Sequence, residues 1–393
     1  MTIVFVNKYF PPFNASTSHL LWDLASHMAR EHDVHVVTGS TPYVAEDAGL
    51  CPPRNETMAN IKVRRVWCLG STRKTVAGRL ADYASFFVGA SLRMLRHRNA
   101  DVLVVMTTPP LLAIPGALAS RLGRARLILW NMDTYPDAML AQGMVRGTQW
   151  TYGVLSRLAE KGYRACERII VLDEPMAQRL QDHGVPRATI SVSPNWDRAI
   201  AGAEERPLRP PASIQFRQDL GAAPDSVVFL YFGNYGLAQD TAALYEGIRH
   251  VVAHNERAVF AFVGGGKALP AFKNFVARDV GLVSIKTSFN GVGTPSKTYA
   301  LLAAGLPLLL VGSPACEVTR ILALGQCGVQ VGEDDAAGFA RACEAYLDDP
   351  ARRLAEGRSA WRLFTERYEM SKVVPRLASL ITRPSGTGNV NTP

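Results

Sequence analysis

Two doubly wound α/β domains joined by a linker are predicted from three features of the 393-residue sequence. Strand-like apolar runs alternate with segments of helical period along most of the chain, the pattern that yields parallel sheets with crossover helices. Near the middle, residues 199–213 lack either period and carry three prolines, as an exposed connection does. The length also exceeds what one hydrophobic core usually spans. With 48% hydrophobic and 20% charged residues there is ample apolar material for two cores.

In the first half, strands are expected at 3–7, 34–38, 62–68, 102–106, 127–130, 169–172 and 190–193, several of them apolar on both faces as buried parallel strands are. Helices are expected at 18–30, where Leu21, Leu24, Ala25 and Met28 fall at core spacing, and at 175–183. In the second half the strands are 227–231, 258–263, 280–285, 307–311 and 328–331, with helices between them. The last helices are 335–347 and roughly 349–380. The organisation expected is therefore a first domain over 1–198, the linker, a second domain over 214–360, a helix at 361–382 returning to the first domain, and a disordered polar tail at 383–393. Such domains bind ligands at the carboxyl ends of their strands, so function is expected in a cleft between the two.

Charge is unevenly placed. Lys and Arg total 43 against 34 acids, yet the segment from Lys62 to Arg98 alone holds nine basic residues and one acid, Asp82, and the rest is almost balanced. This argues against a protein coated by nucleic acid. Within the segment Val76, Leu80, Tyr83, Phe87, Ala90 and Met94 recur at spacings of four and three, with Phe86, Leu92 and Leu95 widening the apolar face. Arg79, Arg93, Arg96 and Arg98 flank this amphipathic helix. A core-packed helix with a solvated basic rim fits the pattern. So does docking on an anionic bilayer, to which each basic residue contributes about 1 kcal/mol, and the clustering of charge beside aromatics favours the bilayer. Six cysteines without a C-x-x-C pair argue against a disulfide scaffold and a structural zinc, and fit a reducing cytosol. The chain opens as a strand rather than a signal peptide, and its longest apolar run, 102–122, is broken by prolines. A soluble or peripheral protein is expected.

Several strand-end loops offer chemistry. In the first, Asn14, Ala15, Ser16 and His19 bracket a helix start where small residues permit close approach of a ligand, although a plain helix cap explains them as well. After the fifth strand, Asp133, Tyr135 and Asp137 place carboxylates and an aromatic at the expected mouth: Asp133 to orient or accept from a hydroxyl, Tyr135 to stack on a sugar ring. Capping of the next helix is the simpler role for Asp133. In the second half, Gly233, Asn234 and Gly236 follow one strand and Gly264 and Gly265 the next, both turns permissive for a phosphate. The strongest site runs from Asn290 and Gly291 through Thr294, Pro295, Ser296, Lys297 and Thr298. It resembles a phosphate-binding loop, but Ser296 stands where the Walker pattern requires Gly, so an NTPase is rejected while Lys297 and the following helix start are retained as a diphosphate cradle. His250 and His254 lack a third ligand for zinc, and no G-x-S-x-G supports a hydrolase.

Taken in order, Tyr9-Phe-Pro-Pro12, Thr108-Pro-Pro-Leu-Leu112, Asp133-Thr-Tyr-Pro-Asp137, Ser193-Pro-Asn-Trp-Asp197, Tyr231-Phe-Gly-Asn-Tyr-Gly236, Phe262-Val-Gly-Gly-Gly266 and Thr294-Pro-Ser-Lys-Thr-Tyr299 resemble the retaining family-4 glycosyltransferases of the GT-B fold, particularly the bacterial branch that builds O-antigen, capsule and exopolysaccharide. The resemblance covers almost the whole chain. It implies two Rossmann-like domains facing each other across a cleft, with a nucleotide-diphosphate sugar as donor in the second and a polyprenyl-diphosphate-linked or other glycan acceptor in the first. It further implies retention of configuration, no cofactor and no obligatory metal, and work at the cytosolic face of the plasma membrane. Three departures stand out. The family's paired glutamates are Asn290 and Ala300 here, the region between Gly266 and Asp279 is short enough for one helix where the family has three elements, and Asn14-Ala-Ser-Thr17 replaces a double glycine. A catalytically silent homologue that binds a partner or glycolipid, and a transferase acting on a soluble small molecule, therefore stay open.

Overall fold

The computed structural model describes residues 1–43, 47–70, 76–143, 149–198, 217–233, 239, 242–263 and 279–384. The expected linker at 199–213, the short region between Gly266 and Asp279 with its one expected helix, and nearly all of the polar tail lie outside them. The chain divides into two compact units, Met1–Pro194 with Val374–Pro393, and Asn195–Val373.

The first unit is built on an eight-stranded sheet: β1 (Thr2–Val6), β2 (Asp33–Gly39), β3 (Asn55–Met58), β4 (Ile61–Val66), β5 (Val102–Met106), β6 (Arg126–Asn131), β7 (Arg168–Val171) and β8 (Ile190–Val192). Their order is β3-β4-β2-β1-β5-β6-β7-β8. Every described pair is parallel except β3–β4, a hairpin turning through Ala59 and Asn60, both at positive φ. β1 is central, Ile3 lying opposite Val34 on one side and Val102 on the other, which is why this strand is apolar on both faces. The expectations missed β3: Asn-Glu-Thr-Met has little strand propensity, and an edge position asks for none. The helices are α1 (Ser16–Met28), α2 (Val76–Arg96), α3 (Ala113–Arg121), α4 (Asp137–Ala141), α5 (Gln149–Arg164) and α6 (Glu174–Asp182). The Asp173 carboxylate caps α6 by accepting from Met176 N–H at 2.7 Å, and Pro175 occupies the first turn.

A buried ion pair fixes α2 to the sheet. Lys8, at the end of β1, and Asp82 are 0% and 1% exposed and 3.0 Å apart, and Thr41 Oγ donates to the same carboxylate oxygen at 2.9 Å. The rings of Tyr9, Tyr83 and Phe86 surround the ammonium at 5.4 to 5.7 Å. Removing one partner strands the other charge in this setting, so Asp82→Ala is expected to cost roughly 3–5 kcal/mol of unfolding free energy in denaturant, most of it recovered in a Lys8→Met/Asp82→Leu double variant.

The second unit holds an all-parallel five-stranded sheet ordered β10-β9-β11-β12-β13, formed by β9 (Val227–Phe232), β10 (Ala258–Val263), β11 (Val280–Ile285), β12 (Leu308–Gly312) and β13 (Gly328–Val331). Its helices are α7 (Ala242–His254), α8 (Lys297–Ala303), α9 (Glu317–Gly325), α10 (Ala336–Asp348) and α11 (Pro350–Leu363). Phe229 stacks on Phe260 at 4.9 Å, and both join Phe339 of α10 and Val251 of α7 in one core. The single long helix expected at 349–380 is in fact broken. After α11 comes a π-helical turn, Phe364–Tyr368, and then Glu369 in extended conformation. There the Asp197 backbone intervenes, its N–H donating to Tyr368 O at 3.3 Å and its carbonyl accepting from Met370 N–H at 2.9 Å. The last helix, α12 (Met370–Thr382), belongs to the first unit from Val374 onward. Two arginines at the starts of β6 and β7 hold its C-terminal carbonyls: Arg126 donates to Thr382 O at 3.0 Å and Arg168 to Leu380 O.

Candidate active site

In the first unit, the loops after β1, β5 and β6 are stitched together at the carboxyl ends of their strands. Lys8 N–H donates to Thr108 O at 3.1 Å, and the Thr107 hydroxyl oxygen accepts from the N–H groups of Met132 and Asp133, both at 3.2 Å. This holds Asp133 at the strand ends, and among the described residues its carboxylate has no ion-pair or hydrogen-bond partner. Loss of water alone pushes its carboxyl up to about 6. Tyr135 lies beside it, anchored by the Tyr163 hydroxyl on its carbonyl at 2.6 Å. Burial, then the charge of Asp133 and the phenols of Tyr83, Tyr163 and Tyr43 hold the Tyr135 phenol well above its usual range. Tyr43, one of the phenols acting on Tyr135, packs edge-on to Tyr9 at 5.2 Å.

The other predicted first-unit residues divide. Asn14 and His19 are paired with each other at 2.8 Å, and Asn14 N–H donates to Asp47 at 2.6 Å, so this loop is a self-braced helix entry beside Ala15 and the exposed Ser16. Ala15 is the N-cap of α1 and supplies no side-chain bond, so the helix start is left uncapped. Asp137 is occupied internally: His183 lies 2.7 Å from its carboxylate, and Arg179 and the Tyr152 hydroxyl lie 3.4 Å from it. The His183 contact outweighs burial in raising that imidazole, and the same contact holds the Asp137 carboxyl low against burial, marking a structural network rather than an open acceptor contact. Sequence reasoning passed over Asn7 and Asn131, at the ends of β1 and β6, both 0% exposed with amide oxygens that lack a hydrogen-bond partner. Their signal was their position: a polar residue closing each of two apolar strands.

In the second unit, the centre of the site is Lys297. Its ammonium nitrogen is buried, has no hydrogen-bond partner, and lies 3.6 Å from the centroid of the Tyr231 ring at the end of β9. Burial brings the amine down to about 7. Gly233 adjoins it: φ is +96°, and a β-carbon there would stand 3.8 Å from Lys297 Cε and 4.0 Å from Nζ. Hence a glycine both permits the turn and leaves the space over the ammonium open. Gly291 also takes positive φ, in the turn from Asn290 towards Thr294, Pro295 and Ser296. The helix start contributes less than expected. α8 has only seven residues, and the N–H groups of Thr298 and Tyr299 are spent on Pro295 O and Ser296 O at 3.1 and 3.2 Å. Thr298 is itself 0% exposed. Ala300, buried within α8, presents no polar group. Asn234, Gly236, Gly264 and Gly265 lie outside the described residues. His250 and His254 stack at 4.4 Å, with His254 Nδ1 2.7 Å from the His250 carbonyl oxygen, as a local helix contact.

Comparison with known proteins bears on the fold and on the first domain. Residues 18–196 match the glycosyl transferase 4-like domain. The probable glycosyltransferase WbjE of Pseudomonas aeruginosa is 25% identical over 367 residues, spanning 87% of this chain and 88% of the relative. The crystal structure of WaaG, a glycosyltransferase involved in lipopolysaccharide biosynthesis, aligns with a TM-score of 0.61 at 16% identity over 97% of this chain and 99% of its own. Anabaena HepE in complex with UDP aligns with a TM-score of 0.68 at 13% identity, covering 97% of this chain and 100% of HepE. Residues 18–196 thus match the glycosyl transferase 4-like family, and the two Rossmann-like parallel sheets give the chain the GT-B fold of WaaG and HepE.

Proposed function

We propose that the protein transfers a sugar from a nucleotide-diphosphate donor to a lipid-linked glycan acceptor, with retention of anomeric configuration, in the assembly of a surface polysaccharide such as O-antigen, at the inner face of the plasma membrane. The observation that carries the reading is the buried, hydrogen-bond-free ammonium of Lys297 beside the open backbone of Gly233. A buried cation without a partner is costly unless an anion completes it, and a donor diphosphate is such an anion. HepE with bound UDP supports a nucleotide donor, WbjE supports glycosyl transfer, and WaaG, a glycosyltransferase involved in lipopolysaccharide biosynthesis, supports a role in glycoconjugate assembly.

In this reading the bond from the sugar C1 to the diphosphate oxygen breaks while C1 bonds to the acceptor hydroxyl oxygen on the same face, and the hydroxyl proton passes to the departing diphosphate. Lys297 stabilises the charge that develops on the leaving group, in place of a metal ion. Asp133 accepts a hydrogen bond from the acceptor and, with Tyr135, orients it. Ala300 favours the competing reading, a silent homologue that binds a partner or glycolipid, because it offers no hydrogen bond to a ribose. Thermal-shift screening against UDP-, GDP-, dTDP- and CMP-sugars separates the two. Saturable stabilisation by one of them is expected, and a folded sample unmoved by all four would assign the protein to the competing reading.

A further inference from the structure

The amphipathic pattern read from the sequence of α2 mixes two faces that the structure separates. Phe86, Ala90 and Met94 are fully buried against the sheet, so this part of the stripe expected to meet a bilayer is core. Two of the basic residues of that segment are also engaged internally, Lys62 with Asp33 at 2.7 Å and the buried Arg65 with Glu56. The outward row combines Leu80 and Leu92 of the expected stripe with Val88, which lay outside it. Leu80, Val88 and Leu92 of α2 are each more than half exposed, with the exposed Ala84 between them at the same spacing of four.

The row continues onto neighbouring helices that the sequence reading did not connect with it. α3 packs against both α2 and α5. On α3 and at its C-cap, Leu118 and Leu122 are exposed at the same spacing, and on α5 so are Trp150, Val154 and Leu158, with Trp150 72% exposed. Three adjacent helices thus each present an apolar ridge to solvent, where a soluble surface would carry polar residues. The exposed charges on these helices have one sign. The exposed Arg79 and Arg96 belong to α2, Arg121 to α3, and Arg157, Lys161 and Arg164 to α5. The acids on these helices are Asp82, buried against Lys8, and Glu160, beside His183 and Arg164.

We infer that the outer face of α2, α3 and α5 is a docking surface for an anionic lipid bilayer, the apolar ridges entering the headgroup boundary and the arginines meeting lipid phosphates. A second copy of the chain is a poorer occupant, because two such faces would set like charges against each other. Among the described residues no helix is long and apolar enough to cross a membrane, so attachment through this face is peripheral. The inference deepens the reading of a lipid-linked acceptor, but vesicle binding and sugar transfer are measured separately, so either can fail alone.

The test is sedimentation of the full-length protein with vesicles of phosphatidylcholine alone or with added phosphatidylglycerol. Binding to the anionic vesicles at least about tenfold stronger, and weakened at high salt, is expected. Leu92→Glu/Trp150→Glu and, separately, Arg96→Gln/Arg121→Gln/Arg157→Gln should each lower that binding about tenfold or more while the melting temperature is unchanged. Equal binding to both vesicle types, or full binding by both variants, would overturn the inference. So would a dimer of the wild-type protein that Leu92→Glu/Trp150→Glu dissociates, since it would give the face to a second copy.

Discussion

Lys297→Ala is expected to lower turnover with the cognate nucleotide sugar by about a hundredfold, the scale of losing one preorganised charge at a leaving group. Lys297→Met should lose as much activity and yet melt at a higher temperature than the wild type. The sign follows from the amine, which titrates near 7 in the folded protein and near 10.5 in the unfolded chain. Between those values the unfolded chain binds more protons, so stability rises with pH across the window, and below pH 7 the folded state bears the full penalty of the buried charge. Methionine fills similar space without that penalty. A variant both inactive and more stable marks a residue kept for a ligand rather than for the fold. Unchanged turnover would remove the leaving-group role.

The second large effect belongs to Asp133. Asp133→Asn keeps the shape and removes the charge, and is expected to lower kcat/KM by about a hundredfold at neutral pH. In the wild type, kcat/KM should rise with pH up to about 6, where the carboxyl ionises, and then level off; the asparagine variant should lack that inflection. Because the folded-state value lies above the unfolded one, stability falls as pH rises from about 4 to about 6, and the penalty persists above that window. The variant should therefore be no less stable at pH 7 than the wild type. A pH profile identical in the two proteins would contradict the assignment.

The sheets were legible because parallel strands buried on both faces announce themselves as apolar runs, and β5, β10, β11 and β13 begin and end where the runs do. Elements held by tertiary contacts were not. The hairpin strand β3 is polar, and the break at Glu369 depends on the backbone of Asp197, far away in sequence. Lys297 was legible as a cation after a glycine-rich turn, whereas its position over Tyr231 required the fold. The segment from Lys62 to Arg98 shows most clearly where periodicity misleads. A helix apolar on two sides gives one blurred stripe in sequence, and only burial separates Phe86 and Met94, in the core, from Val88 and Leu92, in solvent. Asp82, the lone acid of that segment, looked like a minor correction to its charge and is instead the buried partner of Lys8.

The account rests on Lys297 being completed by a donor diphosphate, and isothermal titration calorimetry of the cognate nucleotide sugar at pH 8, in buffers of differing ionisation enthalpy, tests this most directly. The free amine is mostly neutral at that pH and is recharged when the diphosphate arrives. Uptake of nearly one proton per donor bound is therefore predicted, with affinity falling as pH rises further and with no uptake in Lys297→Met. Donor binding of equal strength in the wild type and Lys297→Met, without proton uptake in either, would contradict it.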